Sequence, residues 1–306
     1  MTYNIPILFL VFNRPKETKK SLQEIKKIKP TKLYVVADGP RKNNLNDDLN
    51  CKLVRQIIND GVDWDCEVKT IFRNKNLGCR NSISLGITWF FKKEEMGVIL
   101  EDDCIPNNTF FTFCEMMLLK YRLNSPVMHV SGNSFIDDSI RNNYLDGDYF
   151  FSKFPHITGW ATWRRAWDLY DADLIDYNKK SANVISKNNT QILEKFYWKF
   201  IFNSVYSKKI NSWGYIWLYS IWQNNGLSIQ PKYNLVKNIG FGENALHTKN
   251  SINGLLKNYD YRLKKHPKLI KSNKLIDDFI SKTYYNISIK GLFLKVITNF
   301  KFLFKK

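Results

Sequence analysis

Apolar and polar positions follow two rhythms along the first 130 residues. Ile5–Phe12 is an almost unbroken apolar run, the pattern of a strand buried on both faces. Pro15 then opens a stretch with Leu22, Ile25 and Ile28 at helical spacing. Leu33–Ala37 reads as a second strand that closes on the turn Asp38-Gly39-Pro40. Helical spacing returns over Leu49–Ile58, and Val68–Phe72 is a third strand. Asn76-Leu77-Gly78 makes a turn before a helix over Ser82–Phe91. Met96–Leu100 is a fourth strand, running straight into Glu101-Asp102-Asp103. Strands joined by helical crossovers predict an α/β protein with a Rossmann-like, doubly wound, mostly parallel sheet.

From Val127 the rhythm loosens. Val127–Val130 reads as one more strand, Lys195–Ser207 and Trp213–Trp222 as aromatic helices, and Ile229–Val236 as a strand followed by a turn. The expected organisation is a first sub-domain over 1–130 and a second lobe fused onto it over 131–248. A basic extension over 249–306 follows, with no internal repeat or low-complexity linker.

Composition narrows the class. The 306 residues are 44% hydrophobic with 9 Trp, 16 Tyr and 21 Phe, enough to bury a large interior. Disorder and small disulfide scaffolds are excluded on that ground. Five cysteines without a CxxC pair point to reduced thiols. The first apolar run has no basic residues before it and no small-residue cleavage site after it, so it does not read as a signal peptide. No stretch reaches the ~20 apolar residues of a membrane span. The expectation is a cytoplasmic protein, peripheral on the inner face of the membrane.

The net charge of +19 is concentrated: residues 249–306 carry +11 of it. Lysine outnumbers arginine 37 to 10, and no zinc-finger, RRM or helix-turn-helix signature is present. Nucleic-acid binding is therefore not expected, since base and phosphate readers favour arginine. Over 287–306 an amphipathic helix is expected, with Ile289, Leu292, Phe293, Val296, Ile297, Phe300, Leu303 and Phe304 on one side. Its opposite side carries Lys290, Lys295, Lys301, Lys305 and Lys306, with Leu294 and Phe302 as exceptions among them. Such a helix fits an anionic membrane surface.

The sharpest chemical signal is Glu101-Asp102-Asp103 at a strand end. Adjacent acids there are costly without a cation beside them. Hard oxygen ligands suit Mg²⁺ or Mn²⁺ bridged to a substrate phosphate, whereas a plain reading is a solvated acidic turn. Asp38 is placed to accept a nucleobase N–H or simply to form a turn. Arg14, after Asn13, is placed to meet a phosphate or to start a helix, and Gly39 and Gly78 permit close backbone approach.

Taken in order, Ile5…Phe12-Asn13-Arg14, Ala37-Asp38-Gly39 and Val98–Asp103 resemble the GT-A nucleotide-sugar glycosyltransferases. The likeness is to the N-acetylglucosaminyltransferases that begin complex N-glycan branching, and to their bacterial relatives. Pro106–Phe111, Val130–Asn133 and Phe154–Trp160 are similar to that family's stretches in the same order, over about the first 170 residues. Trp213–Trp222 and Asn238–Asn244 with His247 resemble bacterial members.

The resemblance implies a nucleotide site of Asn13, Arg14, Asp38, Gly39, Glu101 and Asp102, with Asp38 on the base. It implies metal contacts from Asp103 and His247, and acceptor or sugar contacts from Gly159 and Trp160. The family's helical acid is missing, because Ser212–Trp217 has no carboxylate. The general base falls to Glu243, or else to Asp137 or Asp138. The expected activity is transfer of a sugar from a nucleoside-diphosphate donor, UDP favoured, to a hydroxyl of a saccharide or lipid-linked glycan, with inversion. Two other readings are a sugar nucleotidyltransferase, against which the glycine-free Phe12–Pro15 turn argues, and a catalytically dead sugar- or membrane-binding relative.

Overall fold

Every side chain of β1 (Ile7–Val11) is buried, as an unbroken apolar run requires. The computed structural model describes residues 2–42, 44–240 and 259–289. After β1 come α1 (Pro15–Ile28), β2 (Lys32–Ala37), α2 (Leu45–Gly61), β3 (Glu67–Phe72), α3 (Gly78–Phe91) and β4 (Met96–Glu101). These strands lie parallel in the order β3-β2-β1-β4, with Val11 beside Ala37, Ala37 beside Phe72, and Leu10 beside Glu101. All four expected strands and their crossovers are present.

The chain continues through β5 (Cys104–Pro106), α4 (Asn108–Lys120), β6 (Val127–Ser131), α5 (Asp138–Tyr144) and β7 (Tyr149–Ser152). β8 (Trp160–Trp163), α6 (Arg164–Trp167), α7 (Tyr177–Asn188), α8 (Ile192–Tyr206) and α9 (Trp213–Gln223) follow. The last described elements are β9 (Leu227–Pro231), β10 (Val236–Asn238) and α10 (Lys274–Thr283). β8 inserts antiparallel between β4 and β6, and β9 and β7 complete one eight-stranded sheet. The strand and turn expected over Ile229–Val236 are β9 and the bend after it, and the next strand, β10, pairs with β5 in a separate two-stranded sheet. The fold is thus a three-layer α/β arrangement on a mostly parallel, Rossmann-like sheet.

Strand alternation explains the layers. Leu8, Leu10, Tyr34, Val36 and Ile99 point to one face, where α3, α7, α8 and α9 pack. Ile7, Phe9, Val11, Leu33, Val35, Val98 and Leu100 point to the other, under α1, α2 and α4. The β7 edge is covered by a later strap: Asp148 exchanges hydrogen bonds with the backbone of Lys264 and Lys265, and Phe151 bridges to Ser272. Covering an edge in this way removes a template for pairing with another chain. No described helix is long and apolar enough to cross a membrane. The expected helix over 287–306 lies largely outside the described residues, as do Glu243 and His247.

Candidate functional site

Parallel pairing brings the carboxyl ends of β1, β2, β3 and β4 to one edge of the sheet, the edge where ligands bind in such sheets. One residue beyond the paired row Val11–Ala37–Phe72 stand Phe12, Asp38 and Arg73. Beyond β4 stand Asp102 and Asp103. An Asp102 carboxylate oxygen accepts the Phe12 backbone N–H at 3.2 Å, and its carbonyl accepts the Ser21 hydroxyl from α1 at 2.8 Å. Arg14 reaches back from the start of α1, with Nη1 2.7 Å from Asp103 and 3.7 Å from Asp102.

Asp102 and Asp103 therefore share one described guanidinium. Burial, then the charge on Asp103, pushes the Glu101 and Asp102 carboxyls well above the usual carboxylate range. Burial works against the charge on Arg14, but Asp102 and Asp103 outweigh it and hold its pKa up. Asp103 Oδ1 also accepts from Asn238 Nδ2 at 3.2 Å and from Cys104 Sγ at 3.8 Å, while the Asp103 carbonyl accepts the Ile239 N–H at 2.9 Å. Gly240 lies directly over the ion pair: a Cβ there would stand 2.0 Å from Asp103 Oδ2 and 2.9 Å from Arg14 Nη1.

Among the described residues no three His, Cys, Asp or Glu side chains gather around one point. The donor set nevertheless fits a hard divalent cation, because it is all carboxylate oxygen and a bound cation would favour the ionised forms that burial disfavours at Glu101 and Asp102. Asp103 is partly exposed and is the acid nearest Arg14, so it is placed to face such an ion, whose remaining ligands would come from substrate phosphates.

Asp38 is buried and fully engaged. Its oxygens accept the N–H groups of Gly39 at 2.9 Å, Leu77 at 3.0 Å and Gly78 at 3.2 Å, and Asn76 Nδ2 at 3.1 Å. Burial raises its pKa in spite of these bonds. Asp38 thus ties the end of β2 to the turn before α3, and base contact, expected from the sequence, would require one of these bonds to open. Gly39 is needed for the same approach, since a Cβ would meet the Lys75 backbone at 2.5 Å. Asn13 is likewise occupied, donating to Asp47 at 2.7 Å. Asp47 also takes a two-pronged contact from Arg41, 2.6 Å to Nε and 2.9 Å to Nη2, which holds its pKa below the usual range.

Other expected residues sit elsewhere. Trp160 is a correction: it is fully buried in β8, its ring stacked 4.9 Å from His129 and 5.7 Å from Trp213. Its strand lies between β4 and β6 with helices over both faces, so its ring is core and not a surface for a sugar. Gly159, at φ +59°, accepts the Gly132 N–H at 2.8 Å, and a Cβ on it would strike Val236 at 2.8 Å. Its role there is a tight chain crossing. Asp137 caps α5 by accepting the Ile140 N–H at 2.8 Å, and Asp138 pairs with Arg141. The sequence reading missed Asp47, Asn76, Asn238 and Gly240. The Asn-Leu-Gly turn hinted at Asn76; Asp47 lies among exposed polar helix positions with no distinguishing pattern.

No protein-family model matches the chain, and no curated protein does. Among solved structures it is similar to HddC from Yersinia pseudotuberculosis at 10% identity, over 53% of this chain and 77% of that one, with TM-score 0.32. It is similar to 4-diphosphocytidyl-2C-methyl-D-erythritol synthase from Anaerococcus prevotii at 14% identity, over 54% and 75%, with TM-score 0.30. A UDP-glucose pyrophosphorylase complexed with UDP-glucose matches at 10% identity over 75% and 90%, with TM-score 0.36. Likenesses this distant carry no argument about activity. The resemblance to N-acetylglucosaminyltransferases accordingly rests on the ordered motifs alone.

Proposed function

We propose that the chain is a glycosyltransferase moving a sugar from a nucleoside-diphosphate donor, UDP favoured, to a hydroxyl of a saccharide or lipid-linked glycan. The observation that carries this reading is the Arg14–Asp103 pair at the carboxyl edge of parallel strands, with the Asp102 carboxyl beside it. A cation-dependent diphosphate site needs this combination: acid for the metal and guanidinium for the phosphates. Bound Mg²⁺ or Mn²⁺ would neutralise charge developing on the departing nucleoside diphosphate. Arg14 would turn from Asp103 toward that same charge, a contact stronger in the transition state than in the ground state. Asp102 fixes the β1 turn through Phe12, and Asp38 fixes the turn before α3, so both act by positioning.

Inversion needs a group to take the acceptor proton. Asp137 is committed to its helix cap and Asp138 to Arg141, which leaves Glu243 as the proposed base. His247 is the proposed second contact to metal or diphosphate, and the basic extension the proposed contact with an anionic membrane. Nucleotidyl transfer is the competing chemistry, and it calls for backbone N–H groups after the first strand to cradle a triphosphate. Here the Phe12 N–H is taken by Asp102 and Pro15 has none, which favours glycosyl transfer. Thermal unfolding across a panel of nucleotide sugars with Mn²⁺ tests the proposal. Stabilisation by one donor, lost in Asp103→Ala, supports it; stabilisation by no nucleotide sugar contradicts it.

A further inference from the structure

The outward face of α8 is apolar where a solvated helix would be polar. The helix buries Tyr197, Trp198, Ile201, Phe202 and Val205, and Trp198 meets Tyr285, just after α10, at 4.9 Å between ring centres. On its other side Ile192, Phe196 and Phe200 are 71%, 66% and 55% exposed. Spaced by four residues, they line up as a ridge about 12 Å long. An ordinary amphipathic helix puts charged and polar side chains there.

The charge along this segment of the chain is mostly of one sign. Between Lys187 and Asn211 the chain has lysines at 187, 195, 199, 208 and 209, and its single acid is Glu194. Glu194 does not offset them at the surface, because it is buried with its carboxylate 3.2 Å from Lys153 Nζ. Lys195 and Lys199 stand directly beside the ridge, with exposed Lys208 and Lys209 beyond its end.

We infer that this face of α8 docks on an anionic lipid surface, with Ile192, Phe196 and Phe200 entering the interface and the lysines against headgroup phosphates. Exposed aromatic and aliphatic side chains flanked by lysine are the chemistry of interfacial helices, and each nearby lysine adds to the attraction. Charge excludes the other occupants. A second copy would set lysine against lysine across the contact, over a ridge of three side chains that is small for a stable dimer. The chain's own 290–306 segment carries five lysines and no acid, so it too repels this face. The inference stands on a described helix and does not depend on the proposed reaction.

The test is co-sedimentation of the full chain with phosphatidylcholine vesicles, with and without phosphatidylglycerol. Wild-type protein is expected to pellet with the anionic vesicles and not with the neutral ones. Phe196→Ser/Phe200→Ser should need at least about tenfold more anionic lipid for half-binding, and Lys195→Glu/Lys199→Glu should lose binding in a salt-dependent way. All four positions lie on the outward side, so unfolding temperatures should stay near wild type; the second double variant, which removes no apolar contact, serves if the first unfolds. Wild-type binding by the folded Phe variant overturns the inference. So does failure of wild type to bind anionic vesicles, or sedimentation analysis showing a dimer that only the α8 variants dissociate.

Discussion

The Asp102 carboxylate accepts the backbone N–H of Phe12 at 3.2 Å, locking the end of β4 to the end of β1 across ninety positions of sequence. The same side chain is the second acid beside Arg14, so the site's charge and the shape of its first loop share one residue. Replacing it by alanine leaves a part-buried N–H without a partner. The expected cost is about 1–3 kcal/mol by urea denaturation, together with loss of turnover. Asp102→Asn retains an acceptor for Phe12, so it should recover most of the stability and little of the activity. Equal recovery of both would show that the charge has no part in the reaction.

Arg14 is the one described cation against Asp102 and Asp103. Arg14→Ala should weaken nucleoside-diphosphate binding by about tenfold or more in calorimetry, the size of a lost charge-assisted bond. Arg14→Lys should recover only part, since a lysine cannot offer the planar fork. Unchanged affinity in the alanine variant would remove Arg14 from the phosphate site.

Asp38 is expected to matter for folding before it matters for binding. Its carboxylate collects three backbone N–H groups and the Asn76 amide, and Asp38→Ala removes their acceptor from a partly exposed turn. The expected loss is about 1–3 kcal/mol in stability. A variant as stable as wild type but poor in donor affinity would restore the direct base contact that the sequence suggested.

A pH effect should come from a different place. Burial pushes the Asp277 carboxyl up to about 7, against the hydrogen bond it accepts from Ser152 at 2.6 Å and the nearby Lys153. Its folded pKa lies above the unfolded value of about 3.9, so between those limits the folded state holds a proton that the unfolded state has released. Its contribution is complete below about pH 4 and lost as pH rises toward 7. Asp277→Asn should therefore remove a decline in stability between about pH 4 and 7 that wild type shows, the window set by these two values. Parallel pH profiles for the two proteins would refute the assignment.

Much of the first half was legible because strand and crossover patterns there are local. Ile7–Val11 and Met96–Glu101 are apolar runs of strand length, and the acids that follow β4 had to fall at the sheet's edge. β8 was not legible. Trp160-Ala-Thr-Trp163 is a short strand whose partners lie some 30 to 65 positions away, and nothing local marks it as the antiparallel insert between β4 and β6. The misplacement of Trp160 follows from that: a Trp after glycine has the same pattern whether it lines a sugar site or fills a core. Asn238 and Gly240 join the site only because β10 pairs with β5, another long-range contact.

The central claim is tested most directly by ³¹P NMR of the products formed with Mg²⁺ or Mn²⁺ from two reactant sets: nucleotide sugar plus glycan acceptor, and nucleoside triphosphate plus sugar 1-phosphate. The account predicts release of nucleoside diphosphate from the first set, no pyrophosphate from the second, and neither product with Asp103→Ala. Pyrophosphate from the second set, with no nucleoside diphosphate from the first, would contradict it and make the protein a nucleotidyltransferase.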